Sequence, residues 1–494
     1  MQTHPAELNN QVHTCRICIG GEWKASQGKA EILHNPSTGE PITEVPYCTA
    51  EEVTAAVEVA HAAFPTWRAV PVPQRVRVLF RYRELLEQHF EELAAQVTEE
   101  HGKTLEEARG SVRRGIEAVE FACGIPTLLM GEAVESVGGG VDSVTLRQPL
   151  GVCVGIPPFN FPAMVPLWMF PLAIACGNTF VLKPSEKVPR TGTRMVELFH
   201  EAGLPPGVLN LVHGAKDTVD VLLRDPRVKA VSFVGSSGVA KYVYETAAAN
   251  GKRVQALGGA KNHLVVMSDS DMKAAANAII GSAFGCAGER CLATSVVLAV
   301  GDAADRLLPE LTAAADAVRV GAGSNPRSDM GPVISAAHRE RVLQYIELGV
   351  KEGAQVVRDG RGVQPHDASK GFYVGPTIFD RVTSEMRIAR EEIFGPVLSI
   401  IRATDLREAL DVIGRSLYGN ATAIFTSSGA AAREFATAVP AGMVGINVGV
   451  PAPAPFFPFA GWRGSFYGDL HAHGKDAVQF YTETKVIISR WGNP

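Results

Sequence analysis

The chain has 494 residues, of which 46% are hydrophobic and 20% are charged, and its formal net charge at pH 7 is -5. These values are typical of a globular protein with two or three domains, because a single core stops growing at roughly 250–300 residues. Lys and Arg are scattered along the chain and the net charge is slightly negative, so the composition argues against a nucleic-acid-binding protein.

The sequence also argues against a membrane protein and against a secreted one. The most apolar stretch, residues 161–176, is shorter than a membrane span and is interrupted by Pro162, Pro166 and Pro171. The N-terminal segment MQTHPAELNNQ lacks the basic and apolar regions of a secretory signal, and it is not Arg-rich like a transit peptide. We therefore expect a cytoplasmic protein.

The 8 cysteines are too few for a disulfide framework in a chain of this length, and reduced thiols fit the cytoplasm. Cys15 and Cys18 form a C-x-x-C pair, but no second pair follows at the spacing of a zinc site. Two buried thiols in an N-terminal strand are therefore favoured over a metal or redox site, and no metal is expected.

The first third of the chain combines short strands with long helices. Residues 17–48 have the pattern of short strands separated by turns. Thr49 and Glu52 form a capping box, and apolar residues repeat at helical spacing after them. A second long helical pattern runs from about Gln74 to Gly102.

From Leu150 onward, apolar β-rich runs alternate with helical segments. The first series predicts strands at residues 151–156, 179–183, 208–212 and 230–234. The second series starts near Leu264 and predicts strands at residues 295–300, 397–401 and 420–425. This alternation predicts an α/β protein with two doubly wound, mostly parallel sheets that carry helices on both faces.

Two segments fit neither series. Residues 131–149 have the pattern of a hairpin, and residues 475–491 end in an alternating strand. Because neither has a core of its own, we expect them to pair as a small projecting sheet that invites a second subunit. The expected division is residues 1–130 with 150–258, residues 259–470, and an oligomerisation element of 131–149 with 471–494.

Two residues have the chemistry of an acyl-forming site. Cys291 lies in FGCAGERCLA, and a thiolate attacks a carbonyl well. Asn160 lies in PPFNFP, directly after a predicted strand, where its amide can donate a hydrogen bond to a developing oxyanion. Taken alone, the cysteine also fits a core thiol and the asparagine also fits a turn before Pro162.

Other strand ends fit a dinucleotide. In VLKPSE, the Glu186 carboxylate can accept from ribose hydroxyls and Lys183 can donate to them, although a solvated loop pair would have the same sequence. Gly235 and Ser236 lie in FVGSSG, where free amides at a helix start suit a pyrophosphate. The segment lacks G-x-G-x-x-G, so its signal is weak when considered alone.

Taken together, these motifs identify a family. The order PFNFP, KPSE, FVGS, a Gly-rich segment, G-x-R-C and EIFGPV resembles the aldehyde dehydrogenase superfamily over nearly the whole chain. The resemblance implies NAD as cofactor, an NAD-binding first domain, a catalytic second domain, and a homodimer or homotetramer. It implies that Cys291 is the nucleophile and that Asn160, with the Cys291 backbone N–H, forms the oxyanion hole. The cofactor-binding residues that it implies are Phe159, Lys183, Glu186, Gly235, Ser236, Glu392 and Phe394.

The sequence departs from the hydrolytic members of that family. Those members have a Glu in E-L-G-G-K that activates water, whereas the corresponding segment here is VQALGGAKNH. Alignment on Lys261 puts Leu257 at the Glu position, and alignment on the letters LGG puts Ala256 there. In either alignment, the segment lacks the general base that hydrolysis needs.

The same gap is found in the CoA-acylating branch, the methylmalonate-semialdehyde dehydrogenases, which the chain resembles through GAKNH and GWRGSFYGDLHAHGK. That branch usually has Asn-Met where this chain has Leu257-Gly258, and Gln where it has Glu289. The resemblance implies oxidation of malonate or methylmalonate semialdehyde, CoA as acyl acceptor and loss of CO2. Hydrolysis to a free acid and a non-catalytic protein of the same fold are the alternatives.

Two arginines match positions that hold the substrate carboxylate in that branch. Arg290 is next to the nucleophile, and Arg114 lies in VRRGIEAVEFAC. A guanidinium group can bind a carboxylate through two parallel hydrogen bonds. Arg114 also fits a charge on a helix surface, as its neighbour Arg113 does.

Overall fold

The computed structural model describes residues 12–490, and the architecture is α/β with two large sheets. The expectations about residues 1–11 and 491–494 lie outside the described residues. Both large sheets are mostly parallel and have a hydrophobic core on each face. The predicted fold class is therefore confirmed.

The first sheet has eight strands, and its five central strands run parallel. Side chains along each strand alternate between its two faces; Val152 and Val154, for example, lie in one core and Cys153 in the other. In spatial order its strands are Phe466–Gly468, Arg253–Leu257, Val228–Val234, Val152–Ile156, Thr179–Leu182, Leu209–Leu211, Ile17–Ile19 and Glu22–Lys24.

The second sheet has seven strands and is parallel except for one antiparallel edge strand, Gln355–Arg358. In spatial order its strands are Gln355–Arg358, Thr377–Asp380, Val397–Ala403, Thr294–Val300, Asn262–Val266, Ala421–Phe425 and Met443–Ile446.

The helices connect these strands and cover both faces of the sheets. The helices before residue 260 are Ala50–Ala69, Val72–Gln88, Phe90–His101, Leu105–Cys123, Ile125–Leu128, Met164–Ala175, Pro189–Glu201, Lys216–Arg224 and Ser237–Ala249. Those after it are Met272–Phe284, Ala303–Asp316, Ala336–Lys351, Arg387–Arg390, Leu406–Gly414, Gly429–Ala438 and Gly474–Phe480, together with the 3₁₀ turn Gly285–Gly288.

A smaller sheet pairs the two segments that fit neither series. The strands Ala133–Gly138 and Val141–Pro149 form a hairpin, and the strand Thr482–Arg490 runs antiparallel to the second of them over its full length. Several apolar side chains on this sheet are exposed, among them Val486 and Ile488 with 58% and 71% of their surface accessible. The remaining short strands are His13–Thr14, Ala30–His34, Pro41–Pro46, Tyr418–Gly419 and Trp462–Arg463.

Two expectations from the sequence differ from the structure. The long helical pattern near Gln74–Gly102 is two helices, because His89 leaves the helical conformation (φ -100°, ψ 16°). Its ring lies 2.5 Å from the Glu92 carboxylate, which holds the new helix start. The strand Phe466–Gly468, expected with residues 259–470, pairs with Arg253–Leu257 in the first sheet, so the chain returns to that sheet before residue 470.

No helix among residues 12–490 is long and apolar enough to cross a membrane. The apolar stretch 161–176 forms the helix Met164–Ala175, which is buried along its length between the first sheet and the helix Leu105–Cys123. Its apolar character therefore reflects burial in the first core.

Candidate active site

The predicted site residues lie in loops that follow neighbouring parallel strands of the first sheet. Asn160 follows Val152–Ile156, Lys183 and Glu186 follow Thr179–Leu182, and Ser236 follows Val228–Val234. Because parallel strands end at the same edge of a sheet, these loops converge there, which is the usual location of ligand sites in such sheets.

Cys291 reaches the same edge from the second sheet, through a tight turn between a helix and a strand. Cys286 and Ala287 have left-handed backbones (φ 50° and 53°), and Gly288 follows with φ 76°. A Cβ on Gly288 would lie 2.3 Å from the Gly395 carbonyl oxygen, so only glycine fits. The turn directs the following segment, which carries Cys291, towards the first sheet.

Two asparagines hold the backbone at the nucleophile. The side-chain amides of Asn262 and Asn420 donate hydrogen bonds of 2.9 and 2.8 Å to the Cys291 carbonyl oxygen. This carbonyl is therefore held by two donors from the second half of the chain, which positions the thiol without restricting its side chain.

Cys291 lines two cavities, one on each side of it. The larger has a volume of about 640 Å³, and the smaller has a volume of about 290 Å³. The larger cavity brings together all the predicted cofactor residues and the oxyanion residue, namely Phe159, Asn160, Lys183, Glu186, Gly235, Ser236, Glu392 and Phe394. The smaller cavity brings together Arg114 and Arg290, the two predicted substrate residues.

Burial favours the protonated thiol form of Cys291, the predicted nucleophile. Burial raises the pKa of the Cys291 thiol to about 12; the nearby Glu392 also raises it, and the Cys291 and Leu292 amides and Arg290 oppose the shift. Because only the thiolate attacks a carbonyl efficiently, the thiol has to lose its proton during the reaction. A site that holds a neutral thiol close to a carbonyl carbon has the chemistry of covalent acyl transfer.

Asn160 has one donor hydrogen to spare. Its Nδ2 donates a hydrogen bond of 2.9 Å to the Glu289 carbonyl oxygen, which uses one of the two hydrogens of the amide. The backbone carbonyl oxygen of Asn160 accepts a 2.6 Å hydrogen bond from the ammonium group of Lys103, which is fully buried. Asn160 is therefore held from two sides, and its second N–H is available for an oxyanion.

The Lys183–Glu186 pair is positioned to bind vicinal hydroxyls. The Lys183 ammonium group donates to the Glu186 carboxylate at 2.8 Å. Burial tends to raise the pKa of Glu186, but the charge and the hydrogen bond of Lys183 outweigh it, so the pKa lies below its usual value. The carboxylate is ionised at neutral pH.

The opposite end of the large cavity carries Glu392 and Phe394. Glu392 accepts a 2.8 Å hydrogen bond from the Ala260 amide, and burial raises the pKa of its carboxyl group. Phe394 has a left-handed backbone (φ 60°), and its carbonyl oxygen accepts a 2.7 Å hydrogen bond from His338 Nε2. The contact with His338 thus stabilises a backbone conformation that costs about 1 kcal/mol or more in a residue other than glycine.

The two arginines of the small cavity differ in how many protein groups they contact. Arg290 Nε lies 3.2 Å from Cys286 Sγ, and its terminal nitrogens donate to the Gly281 carbonyl and to the Glu107 carboxylate at 3.2 and 3.1 Å. Arg114 has an ion pair with Glu117 at 3.5 Å and keeps 44% of its side chain exposed. Arg290 is therefore part of the nucleophile turn, whereas Arg114 has free donors.

Strand geometry distinguishes the two positions proposed for the missing base. Leu257 lies in the same core against which Cys291 packs, whereas Ala256 points to the core on the opposite face of the first sheet. Leu257 therefore lies on the side of the nucleophile. The carboxylates that line the two cavities within residues 12–490 are Glu107, Glu186 and Glu392, and each is held by an amide or a cation.

Other reactive groups have less to contribute. Cys15 and Cys18 are buried free thiols, and Cys18 Sγ lies 3.8 Å from His200 Nδ1. Within the described part of the chain, no group of three or more His, Cys, Asp or Glu side chains is arranged to hold a metal ion.

Three residues at the site were missed by the sequence analysis. Lys103 holds Asn160, and His338 lines the large cavity and holds Phe394. Glu107 belongs to a capping box with Thr104, and its second oxygen accepts a 2.6 Å hydrogen bond from the Cys286 amide. The capping box was visible in the letters TLEE, but its contact with the nucleophile turn depends on residues 179 positions apart.

Comparison with known proteins agrees with this geometry. The model of the aldehyde dehydrogenase family matches residues 23–487, and the chain belongs to that family. A malonate-semialdehyde dehydrogenase of Geobacillus thermodenitrificans is 56% identical over 488 residues, which are 98% of this chain and 100% of the relative. The resemblance stated from the motifs is thereby confirmed.

Solved structures give the same result. A methylmalonate-semialdehyde dehydrogenase from Oceanimonas doudoroffii has a TM-score of 0.96 and 50% identity, with 98% of this chain and 99% of that chain covered. A Sinorhizobium meliloti 1021 protein assigned to the same enzyme class and solved in complex with NAD has a TM-score of 0.96 and 45% identity, with the same coverage.

Glu107 and Glu52 provide a matched test of the site geometry. Both are the third residue of a capping box, but only Glu107 contacts Cys286 and Arg290. We expect Glu107→Ala to lower kcat/KM for aldehyde oxidation by about tenfold or more, since it removes a charge-assisted hydrogen bond of about 1.5–3 kcal/mol. Glu52→Ala should lower only the melting temperature. Equal activity losses in the two variants would contradict this assignment.

Proposed function

We propose that the chain catalyses the NAD-dependent, CoA-acylating oxidation of malonate or methylmalonate semialdehyde to acetyl-CoA or propionyl-CoA, with release of CO2. The observation that carries the proposal is the position of Cys291 at the junction of two cavities. The larger cavity is lined by the residues expected to bind a dinucleotide, and the smaller cavity is lined by two arginines, Arg114 and Arg290. The names of the relatives and of the similar solved structures support the substrate.

The large cavity fits NAD. The Lys183–Glu186 pair lies where ribose hydroxyls would bind, and the first turn of the helix Ser237–Ala249 has no cap from a described side chain, so its amides are free for a pyrophosphate. When bound, NAD supplies the acceptor for the hydride of the aldehyde. Glu392 and Phe394, at the end of the cavity, would hold the nicotinamide half.

In the first step, Cys291 Sγ bonds to the aldehyde carbon and releases its proton to solvent. The negative charge moves to the carbonyl oxygen, where the second N–H of Asn160 and the Cys291 backbone N–H donate to it. Oxidation of this adduct leaves an acyl group bound to Cys291 as a thioester. Asn160 contributes to this step only if Lys103 holds its backbone carbonyl and the Glu289 carbonyl holds its side-chain amide in place.

The second step transfers the acyl group to CoA. Water needs a positioned base, and the side chain on the nucleophile side of the strand end is Leu257. A thiol has a pKa of about 8.5, so CoA needs far less help than water does. The carboxylate of the substrate leaves as CO2, its bonding electrons pass to the α-carbon, and a proton is taken up there. The sum is semialdehyde, NAD and CoA giving acyl-CoA, CO2 and NADH.

Arg114 and Arg290 would recognise the substrate carboxylate in unequal ways. The free donors of Arg114 suit a direct bidentate contact. Arg290 contributes positive charge beside the thiol while it holds Glu107 and Cys286. Arg114 is therefore the residue on which selectivity for a carboxylated aldehyde depends most.

Assembly and location complete the proposal. The strand Thr482–Arg490 is the edge of the projecting sheet, and an apolar edge strand favours pairing with another chain. We therefore propose a homodimer or homotetramer joined through this sheet. All eight cysteines lie within the described residues and are free thiols, which supports a location in the cytoplasm.

The acyl acceptor is the decisive test. General-base catalysis is typically worth about 10²–10⁴-fold, so hydrolysis of the thioester should be slower than thiolysis by about that factor. Without CoA, malonate semialdehyde and NAD should give a burst of about one NADH per active site and then a slow steady state. With CoA, turnover should continue and mass spectrometry should detect acetyl-CoA. Equally fast turnover to a free acid without CoA would contradict the proposal and support the hydrolytic alternative.

Substrate selectivity is tested by Arg114→Ala, with Arg113→Ala as the control, because Arg113 is paired with Glu87 away from the cavity. A charge-assisted hydrogen bond is worth about 1.5–3 kcal/mol, so Arg114→Ala should lower kcat/KM for malonate semialdehyde by about tenfold or more and lower kcat/KM for propanal much less. Arg290→Ala should lower kcat/KM for both malonate semialdehyde and propanal. Equal losses with the two substrates in Arg114→Ala would show that Arg114 does not recognise the carboxylate.

Cofactor selectivity is tested by the ratio of kcat/KM for NAD and NADP. A 2'-phosphate would face the ionised Glu186 carboxylate, and two unit charges at 4 Å repel by about 1–4 kcal/mol near a protein surface. We expect NAD to be preferred by at least about tenfold, and Glu186→Gln to narrow the ratio. Glu201→Gln, a change at the surface of the next helix, should not alter the ratio. Comparable efficiency with NADP in the wild type would refute this.

Assembly is tested by light scattering at micromolar concentration. The double variant Val486→Lys, Ile488→Lys places two charges on the exposed strand and should dissociate the oligomer, whereas Val350→Lys at an exposed helix position should leave it unchanged. A wild-type mass of one chain would contradict the proposed dimer or tetramer.

A further inference from the structure

Glu289 is a buried acid that the proposed reaction does not use. It lies two residues before the nucleophile, its side chain is fully buried, and it lines neither cavity that Cys291 lines. Its backbone carbonyl accepts the hydrogen bond from Asn160, so its main chain belongs to the oxyanion site while its carboxyl group extends away from it.

The carboxyl group lies between two imidazoles. Oε1 accepts a 3.2 Å hydrogen bond from the Ile334 amide and lies 3.5 Å from His338 Nε2. Oε2 lies 3.7 Å from His101 Nε2, and neither Oε2 nor the ring nitrogens of His101 have a hydrogen-bond partner among the described residues. A buried oxygen and a buried ring nitrogen therefore face each other, and one of them has to supply a proton.

His338 lines the large cavity, and His101 packs against Phe159, which also lines it. His338 Nε2 donates to the Phe394 carbonyl, because a carbonyl can only accept. The Phe394 ring packs edge-on against Phe159 at 5.9 Å, and His101 stacks on the other side of Phe159 at 6.0 Å. Through His338 and His101, the Glu289 carboxyl group is therefore connected to Phe394 and Phe159.

We propose that Glu289 is a positioning residue that couples the nucleophile turn to the nicotinamide end of the cofactor cavity, and that it acts as a neutral carboxylic acid whose Oε2–H donates to His101. In this form, Glu289 Oε1 accepts a hydrogen bond from the Ile334 amide. The His338 Nε2–H then donates to the Phe394 carbonyl without competition from Glu289. The ionised form has only acceptors, so it competes with the Phe394 carbonyl for the His338 Nε2–H and weakens the hold on Phe394.

The electrostatics of the cluster favour the neutral form at pH 7. Burial raises the pKa of Glu289 to about 8, although the Ile334 amide and the charges of Lys103 and Lys187 lower it. The facing imidazoles do not supply a counter-charge, because burial lowers the pKa of His101 and brings that of His338 to about 4. The only cations facing Glu289 from the packed elements described are thus Lys103, which is bonded to Asn160, and Lys187, which lies over the Phe159 ring.

The test measures NADH binding by fluorescence from pH 6 to pH 10, in the wild type and in Glu289→Gln, which keeps the size and fixes the neutral state. No aldehyde or CoA is present, so the result is independent of the proposed substrate and acyl acceptor. The wild-type Kd should be constant below pH 7 and rise by up to about tenfold by pH 9, which is the limit that one ionisation with a pKa near 8 sets. At pH 6.5 the Kd of Glu289→Gln should match that of the wild type within about twofold. Most of the rise in Kd at alkaline pH should be absent in this variant.

A second buried acid serves as the matched comparison. Glu392 lines the cavity and its pKa is also raised by burial, so Glu392→Gln distinguishes the two carboxyl groups. The proposal is overturned if the alkaline rise persists in Glu289→Gln, and equally if only Glu392→Gln removes it. It is also overturned if the wild-type Kd does not depend on pH over this range.

Thermal stability gives an independent measurement. The carboxyl pKa is about 4.5 in the unfolded chain and about 8 in the folded one, so the folded state holds the proton more tightly between these values. This contribution is complete below pH 4.5 and is lost as the pH rises through 8. The melting temperature of Glu289→Gln, relative to that of the wild type, should therefore rise between pH 6 and pH 9. A constant difference over this range would show that Glu289 is already ionised in the folded protein, and it would overturn the proposal.

Discussion

The hydrogen bond from Asn160 Nδ2 to the Glu289 carbonyl joins the two halves of the molecule at the point where the reaction is proposed to occur. Asn160 comes from a strand end of the first sheet, and Glu289 comes from the turn that leads into the second. The first half carries Asn160 and the second half carries Cys291, so neither half alone has both groups. Because this contact holds the oxyanion donor beside Cys291, the two cavities meet at the thiol, and everything proposed about the reaction depends on that junction.

The environments of Glu186 and Glu289 shift the pKa values of their carboxyl groups in opposite directions. Glu186 is ionised because Lys183 outweighs its burial, whereas the pKa of Glu289 is raised to about 8 because its burial is not outweighed. Glu107 is held by the Cys286 amide and the Arg290 guanidinium. Similar side chains can thus serve to recognise hydroxyls, to order a loop and to hold a turn, as in other enzymes that tune acids by environment.

The sequence was sufficient for the fold class, and the residues that its motifs carry line the two cavities that meet at Cys291. Strand ends are visible as apolar runs that stop at Asn160 and Glu186, and parallel topology then requires their convergence. Lys103 and His338 could not be found in this way, because their roles depend on contacts with distant residues. The helix break at His89 was missed since it involves neither Gly nor Pro, and the return of residues 466–468 to the first sheet has no local signal.

The proposal of CoA as acyl acceptor depends on the side chain found at one strand end of the first sheet. Leu257 occupies the end of a strand on the side of the nucleophile, and an alkyl group there can neither accept a proton nor hold a water molecule. Glu392 is held by the Ala260 amide at the nicotinamide end of the other cavity. An acceptor that is acidic by itself is therefore the one that this site can use, and a thiol meets that requirement where water does not. The apolar strand end thus favours transfer to CoA without any residue dedicated to activating it.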